Sequence, residues 1–285
     1  MQKYRLIALD LDGTLLNSEE EISENNIEYL RRAIDADVLV VLTTGRSTLA
    51  ARRYIDTVRS PDPTITYNGG VIGNGRGVLR VALVQPVLVP EILETVEKAG
   101  YEPVVYTLDD RRYYAGGGRH TDDFIQFTKP FERETIRVDD LRKGVYEDVV
   151  RISVFTDEPD LDILDRAVIG EFGNKIRTTH TFFPDWGFWI YEIMDAACSK
   201  SNALDYVCGL HGIMPGEAVA MGDNRNDLDM LEWAGLGVAM KNGLPDVHQV
   251  ADHVTARTND EDGVAEIIES FILRGWRANC LYPVT

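Results

Sequence analysis

Arg5-Leu6-Ile7-Ala8-Leu9-Asp10-Leu11-Asp12-Gly13-Thr14-Leu15-Leu16 is the stretch that decides the fold. Arg5–Leu11 reads as a buried strand, acidic only toward its C-terminal end. Ligands of open α/β sheets bind at the carboxyl ends of strands, so Asp10 and Asp12 sit where chemistry is expected. Residues two apart in an extended chain point the same way, and both carboxylates then face one spot. That is unfavourable without a cation or a shared proton. Gly13 permits a sharp turn, and Thr14 offers a hydroxyl and an amide to an anion. An Asp-rich turn capping the next segment explains the same letters, and this stretch alone does not choose.

Outward from it, Ser23–Ile34 has helical periodicity, Val38–Thr43 is a β-branched run, Arg46–Val58 is helical and Ile65–Tyr67 begins a short strand. The rhythm returns at the other end, with a helix over Lys200–Leu210, a strand over Ala218–Met221 and a helix over Asp227–Trp233. A strand over Gly237–Ala239 and a closing helix over Val264–Phe271 follow. Alternation of this kind implies parallel βαβ units. The middle mixes strand-like runs (Val104–Thr107, Arg151–Thr156, Lys175–Thr181, Phe188–Ile193) with helices at Pro90–Ala99 and Leu161–Phe172. The fold class is therefore α/β: a Rossmann-like doubly wound parallel-sheet core, residues 1–83 and 191–285, with an inserted α+β domain over 84–190.

Three more stretches sit where strands end or helices begin. Gly222-Asp223-Asn224-Arg225-Asn226-Asp227 follows an apolar strand; Asp223 offers a hard oxygen ligand, and Asn226 and Asp227 can orient it or bind metal waters. An N-cap for the following helix explains the same residues, and the two roles are compatible. Leu42-Thr43-Thr44-Gly45-Arg46 runs from a strand into a helix, where a Thr hydroxyl and free amides make a phosphate cradle or a plain N-cap. Arg46 reads as a structural ion-pair partner. Lys200, in Cys198-Ser199-Lys200-Ser201-Asn202, puts a cation at a helix start, which the dipole disfavours unless an anion is there too. A solvated lysine is the plain alternative.

Composition sets the limits. The 285 residues carry 29 Lys and Arg against 47 Asp and Glu, a net charge of −18 spread over flanks and middle. A field of that sign repels nucleic acid and anionic lipid, so neither is an expected partner. It also repels small anions, and an enzyme for phosphorylated substrates needs a metal or buried cations to compensate. The strongest apolar run, Val38–Leu42, is far too short to span a bilayer. Met1–Asp10 meets an acid before a signal-peptide core develops. Three cysteines, Cys198, Cys208 and Cys280, form neither a disulfide framework nor a CxxC pair, and a reducing cytoplasm is expected.

Taken together, Asp10-Leu11-Asp12-Gly13-Thr14-Leu15-Leu16, Thr44-Gly45-Arg46, Tyr67-Asn68-Gly69-Gly70, Lys200 and Gly222-Asp223…Asn226-Asp227…Met230-Leu231, in this order, resemble a haloacid-dehalogenase-superfamily hydrolase of the Cof type. The tail Ala234–Asn242, Ala251-Asp252 and Asp260–Gly263 resemble the same subgroup. The likeness covers both flanks, and the insertion matches in size and position. It implies a Mg2+-dependent phosphatase of small phosphorylated metabolites, sugar phosphates first. Asp10 would be the nucleophile, forming an aspartyl-phosphate, and Asp12 the general acid and then base. The backbone carbonyl of Asp12 and the side chains of Asp10 and Asp223 would ligate Mg2+, with Asn226 and Asp227 completing the outer shell. Thr44, Gly45 and Lys200 would hold the phosphoryl group, Asn226 helping to place it.

Dehalogenases of the superfamily attack carbon without metal and lack the second carboxylate, so Asp12 and Asp223 argue against that chemistry. A sugar phosphomutase shares the core and is not excluded by the motifs. A catalytically silent phosphometabolite-binding regulator is the reading from another class, but every expected catalytic position is filled. The resemblance makes the insertion a cap that contacts the leaving group. In it, Gly116-Gly117-Gly118-Arg119-His120 reads either as a loop offering cations or as a solvated connection. Phe182–Trp189 reads either as pocket wall or as core packing. Natural substrate and oligomeric state have no signal in the sequence.

Overall fold

The leading apolar run forms β1 (Leu6–Leu9), every residue of it buried. This computed structural model describes residues 4–60, 63–74, 76–144, 146–184 and 186–273; Asp185 and Cys280 lie outside them. β1 stops short of Leu11 because the chain turns at once. Leu15 and Leu16 donate their amides to the carbonyls of Asp10 and Leu11, and Gly13 takes φ +73 to close the turn.

In chain order there follow α1 (Glu24–Asp35), β2 (Leu39–Leu42), α2 (Thr48–Val58), β3 (Thr64–Thr66), β4 (Val71–Asn74) and β5 (Gly77–Val81). α1 and α2 each begin at a serine, Ser23 and Ser47, whose hydroxyl accepts the amide three residues on. Ser47 thus leaves Thr44-Gly45-Arg46 outside α2, as a connection rather than a first helical turn. The middle of the chain gives α3 (Val89–Lys98), β6 (Pro103–Thr107), β7 (Arg112–Tyr114), α4 (Thr121–Phe127), β8 (Thr135–Arg137) and β9 (Val149–Thr156). It continues with α5 (Glu158–Phe172), β10 (Ile176–Phe183) and β11 (Phe188–Asp195). The end of the chain gives α6 (Lys200–His211), β12 (Ala218–Gly222), α7 (Leu228–Trp233), β13 (Leu236–Ala239), α8 (Pro245–Val250), β14 (His253–Val254) and α9 (Gly263–Ile267).

Two compact units result: Met1–Arg80 with Ser199–Thr285, and Val81–Cys198. In the first, a parallel sheet runs β14-β13-β12-β1-β2. Alternate residues face opposite layers, as the period of two requires. Ile7, Leu9, Val40 and Met221 pack with Leu30 of α1, Tyr54 of α2 and Ile267 of α9. Leu6, Ala8, Val41 and Ala220 pack with Leu204 of α6, Met230 of α7 and Val247 of α8. Helices on both faces of a parallel sheet make the doubly wound α/β class that the sequence predicts.

The second unit is a six-stranded sheet, β10-β11-β9-β6-β7-β8, antiparallel except for the β7–β8 pair. α3 and α5 pack side by side on it, burying Ile92, Leu93 and Val96 from one and Leu161, Leu164 and Val168 from the other. Among the described residues no helix is long and apolar enough to cross a membrane.

Candidate active site

Register aligns three strand ends. Leu9 of β1 pairs with Leu42 of β2 and with Met221 of β12, so the residues just beyond them emerge at one level. Asp10, Thr43-Thr44 and Asp223 are those residues. Carboxylate oxygens of Asp10, Asp223 and Asp227 all lie within 4.8 Å of one another.

Lys200 answers the conflict its position posed. Its ammonium, fully buried, reaches Asp10 Oδ1 at 2.6 Å, Asp227 Oδ1 at 2.5 Å and the carbonyl of Thr43 at 3.2 Å. Burial pulls its pKa down, but the two carboxylates more than offset this and hold it charged. Asp10 moves the other way. Burial outweighs the attraction of Lys200, and with Asp227 and Asp12 nearby its carboxyl is pushed up to about 8. Asp223 is raised as well, by burial and then by Asp10 and Asp227. Thr14 Oγ1 donates to Asp223 at 3.2 Å.

Three carboxylates against one ammonium leave two negative charges, and every donor is a hard oxygen. That is the donor set and the charge a Mg2+ ion requires, so the residues fit the metal. Gly13 makes room for the Asp223 carboxylate: a Cβ there would lie 2.7 Å from the carboxyl carbon of Asp223. Asp227 has little left to offer directly. Its Oδ2 accepts the amides of Asp223 and Asn224 at 3.0 and 3.1 Å, and its Oδ1 holds Lys200. It suits positioning Asp223 and Lys200 better than direct ligation.

Asp12 stands apart from the cluster. The chain leaves the extended conformation through Gly13, and the Asp12 carboxylate is gripped by Arg46, from Nε at 2.8 Å and from Nη2 at 2.5 Å. The convergence of Asp10 with Asp12 expected from strand geometry gives way to Asp10 with Asp223 and Asp227. Asp12 is left with its backbone carbonyl as the donor toward a metal.

Thr44 is fully buried; its amide donates to Ile65 and its hydroxyl accepts the Arg46 amide at 3.1 Å. Gly45 passes close to Asn68, whose side chain a Cβ at Gly45 would meet at 3.1 Å. Asn68, buried and left-handed at φ +53, accepts at Oδ1 from Asn226 Nδ2 at 3.0 Å. The sequence reading gave Asn68 no role, although Tyr67-Asn68-Gly69-Gly70 marked the place. Asn242 was missed too: its Nδ2 donates to the carbonyl of Gly13 at 2.7 Å and so pins the turn that carries Asp12. Both lie in stretches the sequence marks, but their partners stand far away in sequence and local spacing does not show them.

In the second unit the glycine run wraps a carboxylate of its own chain. Glu102 accepts the amides of Gly116 and Gly118 and the hydroxyl of Thr121. Arg119 pairs with Asp157 and Asp160, and the His120 ring with Asp123, so both side chains are already matched within the unit. Of the aromatic stretch, Phe183, Trp186 and Phe188 form an edge-to-face cluster around Phe127, with centroids 5.1–5.7 Å away.

Comparison with known proteins agrees with the fold. Residues 7–268 match the model of the haloacid dehalogenase-like hydrolases. The chain is 30% identical over 273 residues to the 5-amino-6-(5-phospho-D-ribitylamino)uracil phosphatase YitU of Bacillus subtilis, spanning 94% of this chain and 98% of that one. A second Bacillus subtilis phosphatase of the same description, YwtE, is 30% identical over 295 residues, 94% of this chain and 98% of the relative. Among solved structures, a haloacid dehalogenase-like hydrolase from Bacteroides thetaiotaomicron superposes with a TM-score of 0.76 at 29% identity, over 94% of this chain and 99% of its own. The chain belongs to the haloacid dehalogenase-like hydrolases. It is an enzyme of that family's phosphatase kind, a phosphoric monoester hydrolase.

Proposed function

We propose that this phosphatase hydrolyses small phosphorylated metabolites, sugar phosphates foremost, in the cytoplasm, with Mg2+ and through an aspartyl-phosphate on Asp10. The observation that carries this is the Asp10 carboxylate 2.6 Å from the Lys200 ammonium, at a strand end, beside Asp223 and Asp227. A carboxylate so held is aimed and screened as a nucleophile for an anionic ester. Asp10, Asp223 and the Asp12 carbonyl would hold Mg2+, which would supply positive charge against the phosphoryl group.

Asp10 attacks phosphorus, and the leaving alcohol takes a proton from Asp12. Asp12, now a carboxylate, removes a proton from water, which attacks the phosphorus and releases inorganic phosphate with Asp10 restored. Thr44, Gly45 and Lys200 hold the transferring group, with Asn226 steadied by Asn68. The named relatives act on a phosphorylated ribityl chain, an ester of a sugar-like alcohol, which supports this substrate class. Val81–Cys198 is proposed to carry the choice of substrate. The net charge of −18 supports a small-molecule rather than a nucleic-acid partner, and the buried thiols of Cys198 and Cys208 suit a reducing compartment.

The test is release of inorganic phosphate from a panel of sugar phosphates and other phosphorylated metabolites, with Mg2+ and with EDTA, using Asp10→Ala as the blank. Turnover that needs Mg2+ and disappears in Asp10→Ala is expected. Equal turnover in EDTA, or in Asp10→Ala, would overturn the proposal.

A further inference from the structure

Arg46 spans two of the site's motifs, and in doing so it fixes a side chain whose direction matters. Its backbone belongs to the Thr44 connection: its amide donates to Thr44 Oγ1 at 3.1 Å and its carbonyl accepts from Tyr67 at 2.9 Å. Its guanidinium crosses to the first motif and takes both oxygens of Asp12, from Nε at 2.8 and 3.1 Å and from Nη2 at 2.5 Å. The guanidinium is itself fixed. Glu20 lies 3.4 Å from Nη2 and is paired in turn with Arg53 at 2.6 Å, while the ring of Tyr54 lies 5.1 Å from the Arg46 guanidinium carbon. The Arg46 side chain is mostly buried, at 19% exposure, whereas that of Asp12 is 38% exposed. Left alone, a half-exposed aspartate samples several rotamers, and only some aim its carboxylate at a reacting oxygen.

We propose that Arg46 is the positioning residue of the acid–base step: its two-pronged grip fixes the Asp12 side chain in the orientation from which it gives a proton, as the carboxylic acid, to the leaving alcohol and then, as the carboxylate, takes one from water. This rests on the function proposed above. A carboxylate has about four lone-pair sites, so one held by two N–H groups keeps others for the proton it exchanges. The planar fork is what suits Arg to this; a lysine offers a point charge without the second prong. No bond to Arg46 forms or breaks in the reaction, and its contribution is geometric.

A double-mutant cycle on the full-length enzyme with Mg2+ tests it, using Asp12→Asn, Arg46→Met and both together. Arg46→Met should lower kcat on a sugar phosphate by roughly 10–100-fold, the range seen when a partner that orients a working ligand is removed. KM and inhibition by inorganic phosphate should stay as in the parent, and Arg46→Lys should recover part of the loss. The double variant should be no slower than Asp12→Asn alone, because Arg46 acts only through Asp12. Losses that multiply would overturn the assignment. So would a rise in KM and weaker phosphate inhibition, which would make Arg46 a phosphate ligand. Should Arg46→Met lower the thermal midpoint, Arg46→Gln and Arg46→Lys carry the same comparison. Full activity in Asp12→Asn itself would instead sink the proposed function, and this inference with it.

Discussion

Asp10 shares one ammonium with Asp227, and Asp223 stands beside both, so the site without metal is over-supplied with negative charge. With no metal bound, burial and these neighbours push the Asp10 carboxyl up to about 8 and raise that of Asp223 as well. Mg2+ binds the ionised carboxylates and so competes with protons for them. Both carboxyls are raised, so the apparent affinity for Mg2+ should rise with pH through the neutral range and level off only once both are ionised. Mg2+ titrations read by the thermal midpoint, from about pH 6 to about pH 9, check this. A flat profile would mean that Asp10 does not bind the ion. Lys200 is the other side of the same balance. Lys200→Met would leave Asp10 and Asp227 buried without their cation, a change that costs roughly 3–5 kcal/mol. Urea unfolding should show a loss of that size; an unchanged midpoint would mean the three do not form a buried network.

Gly13 and the turn it closes, Leu11–Leu15, govern the next scale. Gly13→Ala forces a Cβ against Asp223 from a left-handed backbone, and the turn has to shift. A displacement near 1 Å at a site like this costs about 100-fold in rate, so kcat should fall at least that far while the fold survives. Near-parental kcat would show that the turn is tolerant. In the sheet of the second unit, Arg151 and Glu192 form a buried pair on β9 and β11, with the guanidinium 4.4 Å from the Tyr106 ring. Arg151→Met alone should destabilise by roughly 3–5 kcal/mol, whereas Arg151→Met with Glu192→Leu should restore most of it. Denaturant midpoints of the two variants decide this, and an equal loss in both would contradict it. The elements legible in the sequence are those with a period long enough to read. The runs Arg151–Thr156 and Lys175–Thr181 announce β9 and β10, and apolar spacing announces α1, α3 and α5. β7 and β8, three residues each, and the seven-residue α4 have no such length; sheet pairing and the Phe124 contact hold them.

At the scale of the molecule, the continuous segment Val81–Cys198 forms one unit and interrupts the sequence of the other. Limited proteolysis near either junction should leave Val81–Cys198 as a folded fragment; a single cooperative unit with no separable piece would count against it. The sequence made the site legible wherever a motif ends a strand, because parallel register carries Asp10, Thr44 and Asp223 to one level. It could not show that Asp12 turns to Arg46, a partner 34 residues away chosen by side-chain direction rather than spacing. Nor could it show that Glu102 fills the glycine run, since that contact is made by tertiary packing. The central claim is that Asp10 becomes phosphorylated. The most direct measurement is rapid quench of Asp12→Asn with Mg2+ and p-nitrophenyl phosphate, followed by mass spectrometry of the peptide around Asp10. That leaving group needs little protonation, while breakdown of the acyl-phosphate lacks its base. A burst of about one nitrophenolate per site, with phosphate on Asp10, is predicted. No burst and no label, in protein that still binds Mg2+, would contradict the account.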